Sequence, residues 1–526
     1  MNGFDGTCLC RYAQRSERSR IPGRRGATLV ALTAVCVLVG LLVAAGPARA
    51  TLLRSELQVA GTAGDNCGAS VAISGDTAVV GAPEADPSGK TAAGVAYVFV
   101  RSSGVWKLQQ KLTAGDGAAG DSFGSAVAAS GNTVVIGARY HSPWGVTGAG
   151  AAYVFVRSSG VWKLQQKLTA VDADLLDHFG WSVAVSGSTV VVGARDRDTG
   201  AKADTGAAYV FVRFGALWAT QQILSTPAIS AITDDHFGES VAVSGGTALI
   251  GVPDGDWLGS PNAGLAYAYT RSGAAWTAAP VLSAVGSGGT GDWFGASVSL
   301  SGDTALVGAP GHDVGINANA GAAYLVFRAG GVWDPPEPWF PGGAANSDLS
   351  GIAVAISTGA GAIGSIHHVA GAVPDAGGVY PLAKTGKFWA VASSPLSAAT
   401  PATGDSFGSA VATSGDTIVA GAPDRDTGGL ADSGAAFVFQ PRPTITKLSP
   451  TSARRGAIVT ITGLGFGLKR GASYVKFGSA KCTKYVSWSS THIRCRVPTS
   501  AATGSRPVRV VLKSGASNSR SFAVKS

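Results

Sequence analysis

The sequence is poor in charge, in cysteine and in long apolar stretches. Only 14% of its 526 residues are Asp, Glu, Lys or Arg, against 75 glycines. Exposed helices carry their solvent faces on Lys and Glu, so this balance argues against a helical fold and for turn-rich β structure. Of the six cysteines, Cys8, Cys10 and Cys36 lie near the N-terminus, which leaves Cys67, Cys482 and Cys495 for the rest. Three are too few for a disulfide-built scaffold. The sequence has no nucleophile elbow, no HExxH pair, no phosphate-cradling glycine loop and no zinc-type cysteine spacing.

The one long apolar run is N-terminal. "RSRIPGRRGATLVALTAVCVLVGLLVAAGPARA" has a basic start, an apolar stretch over Ala27–Ala45 and a small-residue Ala48, Arg49, Ala50 site. Residues 1–50 therefore read as a secretory signal, with Thr51 beginning the mature chain and a secreted or cell-surface destination. A retained membrane anchor fits the AxA ending less well. No later segment is long enough to span a bilayer. Charge is divided unevenly: residues 51–440 hold 18 basic and 30 acidic side chains, residues 441–526 hold 16 basic and none acidic. An acidic body is joined to a strongly basic tail.

The body is repetitive. "DSFGSAVAASGNTVVIGA" starts at Asp121, and related stretches start at Asp65, Asp177, Asp235, Asp292, Asp348 and Asp405, the copy at Asp348 being the weakest. The glycines three residues on, Gly68, Gly124, Gly180, Gly238, Gly295, Gly351 and Gly408, are spaced by 56, 56, 58, 57, 56 and 57 residues. Seven units of one length imply a repeat architecture. Each unit reads as four strands. In the second unit "SAVAAS" alternates, Gly131 and Asn132 turn, "TVVIGA" returns, a loop of roughly ten residues follows, and "AAYVFV" and "VWKLQQKLTA" complete the set. The expectation is an all-β seven-bladed β-propeller over residues 51–440, followed by an immunoglobulin-like β-sandwich.

The fourth-strand Trp recurs at Trp106, Trp162, Trp218, Trp276, Trp333 and Trp389, but the seventh unit has no such strand before "PRPT". "LLRSELQVA", Leu52–Ala60, aligns with the missing strand and is expected to close the ring, hiding an open sheet edge. Asp65, Asp121, Asp177, Asp235, Asp292, Asp348 and Asp405 recur once per unit. A residue needed in every blade serves the backbone, here by accepting N–H bonds in the turn before strand one. Cys67 takes the Phe position of the first unit and reads as a buried, unreactive thiol.

The "DSFG…VVIGA" pattern resembles the FG-GAP repeat of integrin α-chain propellers and of many exported bacterial proteins, over about residues 51–440. The resemblance implies a propeller and adhesion-type binding of an extracellular protein or glycan. Integrin-like repeats often carry a DxDxDG calcium loop between strands one and two. This chain has "SGDT", "SGNT", "SGST" or "SGGT" there, so no cofactor is expected and calcium is not supported at that position. "PTITKLSPTSARRGAIVTITGLGFG", "YVKFG", "THIRCRVP" and "SFAV" resemble the IPT/TIG immunoglobulin-like module over Pro443–Val524. A Cys482–Cys495 disulfide is expected in an exported chain, with two buried free thiols as the alternative.

For a ligand site, His141, His312 and His368 lie four residues after a second-strand Gly, and His178 and His236 precede the Phe of their units. With His367 they fall on loops of one face of the ring, together with aromatic residues. Tyr140, His141, Trp144, Trp257, Trp293, His312 and His368 are the candidate ligand-binding set. "DRDTGAKAD" (Asp196, Asp198, Asp204) and "DRDTGGLAD" (Asp424, Asp426, Asp432) are weak calcium candidates, a solvated acidic loop being the plainer reading. The expected function is exported, non-catalytic binding, adhesion or scaffolding, with no enzyme activity. The alternative is an extracellular hydrolase or lyase with its site on that face. It calls for a carboxylate and a His from different blades to converge. The basic tail, with Arg454 and Arg455, points to an anionic cell-surface polymer, with the acidic propeller itself as rival partner. Nucleic acid is not expected.

Overall fold

The structure is a computed structural model. It describes residues 52–526 except 58, 60, 103, 227–232, 285–288, 344, 386–387, 467–469, 490 and 513–514. The expected signal segment lies outside the described residues.

Residues 52–441 form seven antiparallel sheets, six of four strands and one of five. In the first, the strands are Ser70–Ser74, Thr77–Ala82, Val95–Ser102 and Val105–Leu112. The second strands are short, β-branched and apolar on both faces because each is covered by a neighbouring sheet on either side. In Thr133–Ala138 and Thr189–Ala194, for example, every residue is buried. The innermost strands line a central channel of about 250 Å³, each of the seven contributing three consecutive residues, from Val71–Ile73 to Val411–Thr413. This is a propeller. The fifth sheet has its extra strand because Pro335 and Pro336 split the outer strand into Val332–Trp333 and Glu337–Trp339.

Three contacts join the first and last units. Leu52–Leu57 pairs antiparallel with Ala436–Pro441 and becomes the fourth strand of the seventh sheet. Gly434 bridges to Cys67, as Gly150 does to Phe179. The second-strand glycine Gly421 lies against the carbonyl of Gly68, as Gly137 lies against that of Gly180. At each of these second-strand glycines a Cβ would strike backbone. The glycine after the aromatic has a second reason to be glycine. Gly180 adopts φ 93°, and a side chain there would meet the carbonyl of Ala151.

The outer strands are fastened by glutamine. Gln110 accepts from the Trp162 N–H and donates to its carbonyl, and Gln166 and Gln222 do the same with Trp218 and Trp276. The repeat carboxylates brace the turn before strand one. Asp65, Asp121, Asp177, Asp292, Asp348 and Asp405 each accept the N–H of the residue three positions earlier.

Residues 444–525 form two facing sheets. One contains Thr444–Ser449, Ile458–Leu464, His492–Arg496 and Tyr485–Trp488. The other is built on Gly504–Leu512, Arg520–Lys525 and Tyr474–Phe477. Ile461, Val475, Phe477, Ile493 and Phe522 fill the space between them. Cys482 and Cys495, the expected pair, lie side by side in this core as two thiols. Cys482 donates its S–H to the carbonyl of Arg496 at 3.1 Å, and the hydrogen-bonded neighbour Cys482 together with burial pushes the Cys495 thiol up. The same contact lowers the Cys482 thiol, so only Cys495 behaves as a small apolar residue. The Cys67 thiol is fully buried and is pushed up to about 12 by burial and the nearby Asp65 charge, which leaves it unreactive.

Candidate functional site

Antiparallel connection puts two sets of loops on the same face of the ring: those joining strands two and three, and those leading from one blade into the next. Within these loops the repeat Asp has a second partner. His141 Nδ1 meets Asp121 Oδ2 at 2.7 Å and His312 Nδ1 meets Asp292 Oδ2 at 2.8 Å. In both cases the same oxygen takes the turn N–H. In the seventh blade Arg425 fills the equivalent place on Asp405 at 2.8 Å. His368 lies 3.6 Å from Asp348. His141 and His312 are only 6% and 7% exposed. The reading of His141 and His312 as ligand-facing residues is therefore corrected: they lean inward to anchor a carboxylate that burial would otherwise destabilise, whereas the Nδ1 of His368 makes no hydrogen bond.

The carboxylates of the acidic loops also have partners nearby. The N–H of Asp204 donates to Asp198 Oδ1 and that of Asp432 to Asp426 Oδ1. The same six-residue closure recurs at Asp86, Asp256 and Asp313 in loops with no DRD sequence. Asp196 is taken by His178 and Arg195, and Asp424 accepts from Asn66. Among the described residues no group of three or more His, Cys, Asp or Glu is arranged to hold a metal ion.

The aromatic candidates do not converge on one point. Trp144 is 76% exposed on a turn of the second blade, and Trp293 is 37% exposed and packs on Gly311 in the fifth. Trp257 is half-buried against the core of the fourth blade. Tyr140, 39% exposed, stands edge-on to His178 at 5.1 Å.

Tyr140 belongs to a cluster across blades two, three and four that the sequence reading missed. His178 Nδ1 meets Asp196 at 2.5 Å, Asp196 lies 3.3 Å from His236 Nε2, and His236 Nδ1 meets Asp254 at 2.8 Å. Arg195 binds Asp196 at 2.9 Å and Glu239 at 2.5 Å. Trp181 lies against two guanidinium groups, that of Arg195 at 4.4 Å and that of Arg139 at 4.5 Å, and its side chain hydrogen-bonds Glu239. Beside it, Asp234, Asp235, His236, Asp254 and Asp256 line an open cleft of about 350 Å³.

The charges in this cluster are mutually set. Burial alone would raise Asp196, but the His178 bond and Arg195 hold it below the usual carboxylate range. Burial would lower His236, but the Asp254 bond and the charges of Asp254 and Asp196 outweigh it, and its pKa is raised. Asp196 thus contributes stability above about pH 4, lost as pH falls, and His236 contributes below about pH 6.5, lost as pH rises through its folded value. Replacing His236 by Asn is expected to cost about 1–3 kcal/mol where both contributions are complete. Denaturant melts of the two proteins should differ most between about pH 4 and 6.5 and converge above neutrality. A difference independent of pH would contradict a charged His236.

The model of the FG-GAP repeat matches residues 60–99, 106–155, 162–211, 226–269, 276–327 and 393–439, and that of the IPT/TIG domain matches 443–524. The chain belongs to the FG-GAP repeat family and ends in an IPT/TIG domain. The stretch left between the fifth and sixth matches contains the sixth sheet, where Ser350 replaces the aromatic. Both kinds of module are typical of extracellular binding proteins. No curated protein matches the chain. There are 382 similar solved chains, two of which are as follows. A fungal alcohol oxidase of the AA5 family in complex with copper is 13% identical with a TM-score of 0.43, over 91% of this chain and 100% of that one. A protein of unknown function from Bacteroides thetaiotaomicron VPI-5482 is 17% identical with a TM-score of 0.15, over 16% and 22%. Neither likeness bears on activity. No helix of the described residues is long and apolar enough to cross a membrane.

Proposed function

We propose that this is an exported, non-catalytic binding or scaffolding protein whose propeller loop face receives an extracellular partner. The observation that carries the reading is the state of the titratable groups on that face. His141, His178, His236 and His312 are each held by a carboxylate, and Arg195 by two. General acid–base work needs a group open to substrate, and His141 and His312 are almost wholly buried. Groups locked in pairs instead give a rigid surface, on which the exposed rings of Trp144 and Tyr140 offer contact area at little entropic cost.

One observation favours the enzymatic alternative: Asp196 and His236, from adjacent blades, do approach each other, and His236 lines the acidic cleft. Both are already engaged, by Arg195 and His178 on one side and Asp254 on the other.

The basic domain is proposed to hold the protein on an anionic surface polymer. The ion pairs seen among the described residues join propeller residues to one another. Arg454 is exposed beside Lys525, and Lys476 stands across from both Arg509 and Lys481. Like charges so placed repel unless an anion comes between them. Arg455 is also exposed but is tied by Nε to the Ala501 carbonyl at 2.8 Å, so Arg454 is the cleaner probe.

Glycan and protein arrays with the mature chain test both parts. Trp144→Ala with Tyr140→Ala is expected to weaken partner binding about tenfold or more, the loss of one or two contact hot spots. Arg454→Glu is expected to weaken salt-sensitive polyanion binding alone. Array binding untouched by the aromatic pair, or turnover of an array ligand, would overturn the reading.

A further inference from the structure

Seven near-equivalent blades make departures from the repeat informative. Two positions at the loop-face ends of the inner strands depart from the pattern in neighbouring units. After the second strand, four units have proline (Pro83, Pro253, Pro310, Pro423) and one has Ile366, but the second and third have Arg139 and Arg195. After the repeat glycine, most units have a small or aliphatic residue, but the third and fourth have Trp181 and Glu239. The four unusual residues are the ones that meet in space.

Three of them satisfy one another. Arg195 is bound by Asp196 and Glu239, and Trp181 hydrogen-bonds Glu239. Arg139 is left over. Its guanidinium lies 5.0 Å from the Tyr140 ring and 4.5 Å from the Trp181 ring, and among the described residues it has no ion pair. Its Nε is buried without a partner, and its terminal nitrogens make no hydrogen bond among the described residues. Every other propeller arginine donates a hydrogen bond: Arg54, Arg101, Arg157 and Arg195 do, for instance, and so do Arg213 and Arg425. A guanidinium held by stacking and with its outer edge unused is pre-organised for a planar anion that can take two parallel N–H bonds.

We propose that Arg139 is the anchor of a carboxylate-binding site on the propeller face, and that its ligand is a uronic-acid sugar of an acidic polysaccharide. This rests on the binding function proposed above and specifies its chemistry. The carboxylate docks edge-on to the terminal nitrogens of Arg139. The choice of sugar over acidic peptide follows from what adjoins the arginine. Tyr140 follows it directly, and the open indole of Trp144 lies on the same loop; flat aromatic surfaces suit the C–H faces of a pyranose ring.

Titration calorimetry of the whole mature chain at physiological ionic strength tests the proposal, with trigalacturonate, its methyl ester and a hexa-aspartate peptide as probes. Trigalacturonate is expected to bind, and esterification to weaken it about tenfold or more, the loss of a charge-assisted pair. Arg139→Met should produce the same loss, and Arg139→Lys most of it, because lysine keeps the charge without the fork. The basic domain is common to all variants, so their differences report the propeller. Equal binding of acid and ester would overturn the proposal, as would unchanged binding by Arg139→Met or a preference for the peptide. Should Arg139→Met fail to fold, Arg139→Lys, which keeps a cation against the Trp181 ring, carries the same acid-and-ester comparison against the parent. If array ligands still bind while trigalacturonate does not, only the carboxylate site falls. If no ligand binds at all, the proposed binding function falls with it.

Discussion

Deleting residues 51–60 is expected to unfold the propeller as a whole. Those residues supply Leu52–Leu57, the outer strand of the seventh sheet, paired over six positions with Ala436–Pro441. Leu57 is 2% exposed and packs with Cys67, Val71 and Val438, between the last sheet and the first. Each backbone hydrogen bond lost is worth about 1 kcal/mol net, and burial of Leu57 adds about 2 kcal/mol. The total, roughly 5 kcal/mol or more, is comparable to the whole stability of an ordinary domain. The deletion also exposes an unpaired edge along Ala435–Pro441 that invites aggregation. Calorimetry of the truncated chain should therefore give a melt shifted far down or no cooperative transition, rather than a small local loss. A truncated protein that melts like its parent would mean that the ring does not depend on this strand.

A single methyl group at the same junction is expected to be nearly as damaging. Gly421 lies against the carbonyl of Gly68, and a Cβ at residue 421 would strike that backbone directly. Neither strand can move without opening the contact between the seventh and first sheets, so Gly421→Ala should cost at least the 1–3 kcal/mol typical of overpacking, and about 4 kcal/mol if the ring must yield. Gly415→Ala is the control. Gly415 sits in a turn at φ 59° with open space around its missing side chain, so alanine there incurs only the left-handed backbone penalty of about 1 kcal/mol. Chemical denaturation of the two variants should separate steric from conformational cost. Equal losses would contradict the close approach of the two blades.

How far the sequence could be read depended on whether a residue repeats. The strands, the glycines and the strand at Leu52–Leu57 recur at fixed offsets, and a feature copied seven times can be seen without coordinates. The pairing of His141 with Asp121 was hidden because the two are 20 residues apart in chain and only three of the seven units have histidine there. A signal did exist: Arg425 occupies the same offset from Asp405, so basic residues recur where histidine does not. The glutamine clasp was legible as "QQ" in the outer strand, but its partners are on the next blade, 52 residues away for Gln110 and Trp162. Arg139, Trp181, Arg195 and Glu239 escaped notice for the opposite reason. They break the repeat, and a residue present in one or two units leaves no periodic signal. The neighbourhood of Cys482 and Cys495 was legible, but their spacing serves a disulfide and a pair of buried thiols equally well.

The most direct measurement is array binding by a chain in which the second to fourth blades are returned to the pattern of the others: Arg139→Pro, Trp181→Ala, Arg195→Pro and Glu239→Ala together. Each replacement is a residue that other blades already carry at that position. The four wild-type side chains contact one another and, beyond the set, Asp196, Tyr140 and His178. The variant is expected to fold with an unchanged circular-dichroism spectrum, to keep polyanion binding through the basic domain, and to lose the propeller's extracellular ligands. A folded variant that still binds those ligands as the parent does would contradict the assignment of binding to the asymmetric sector of the ring.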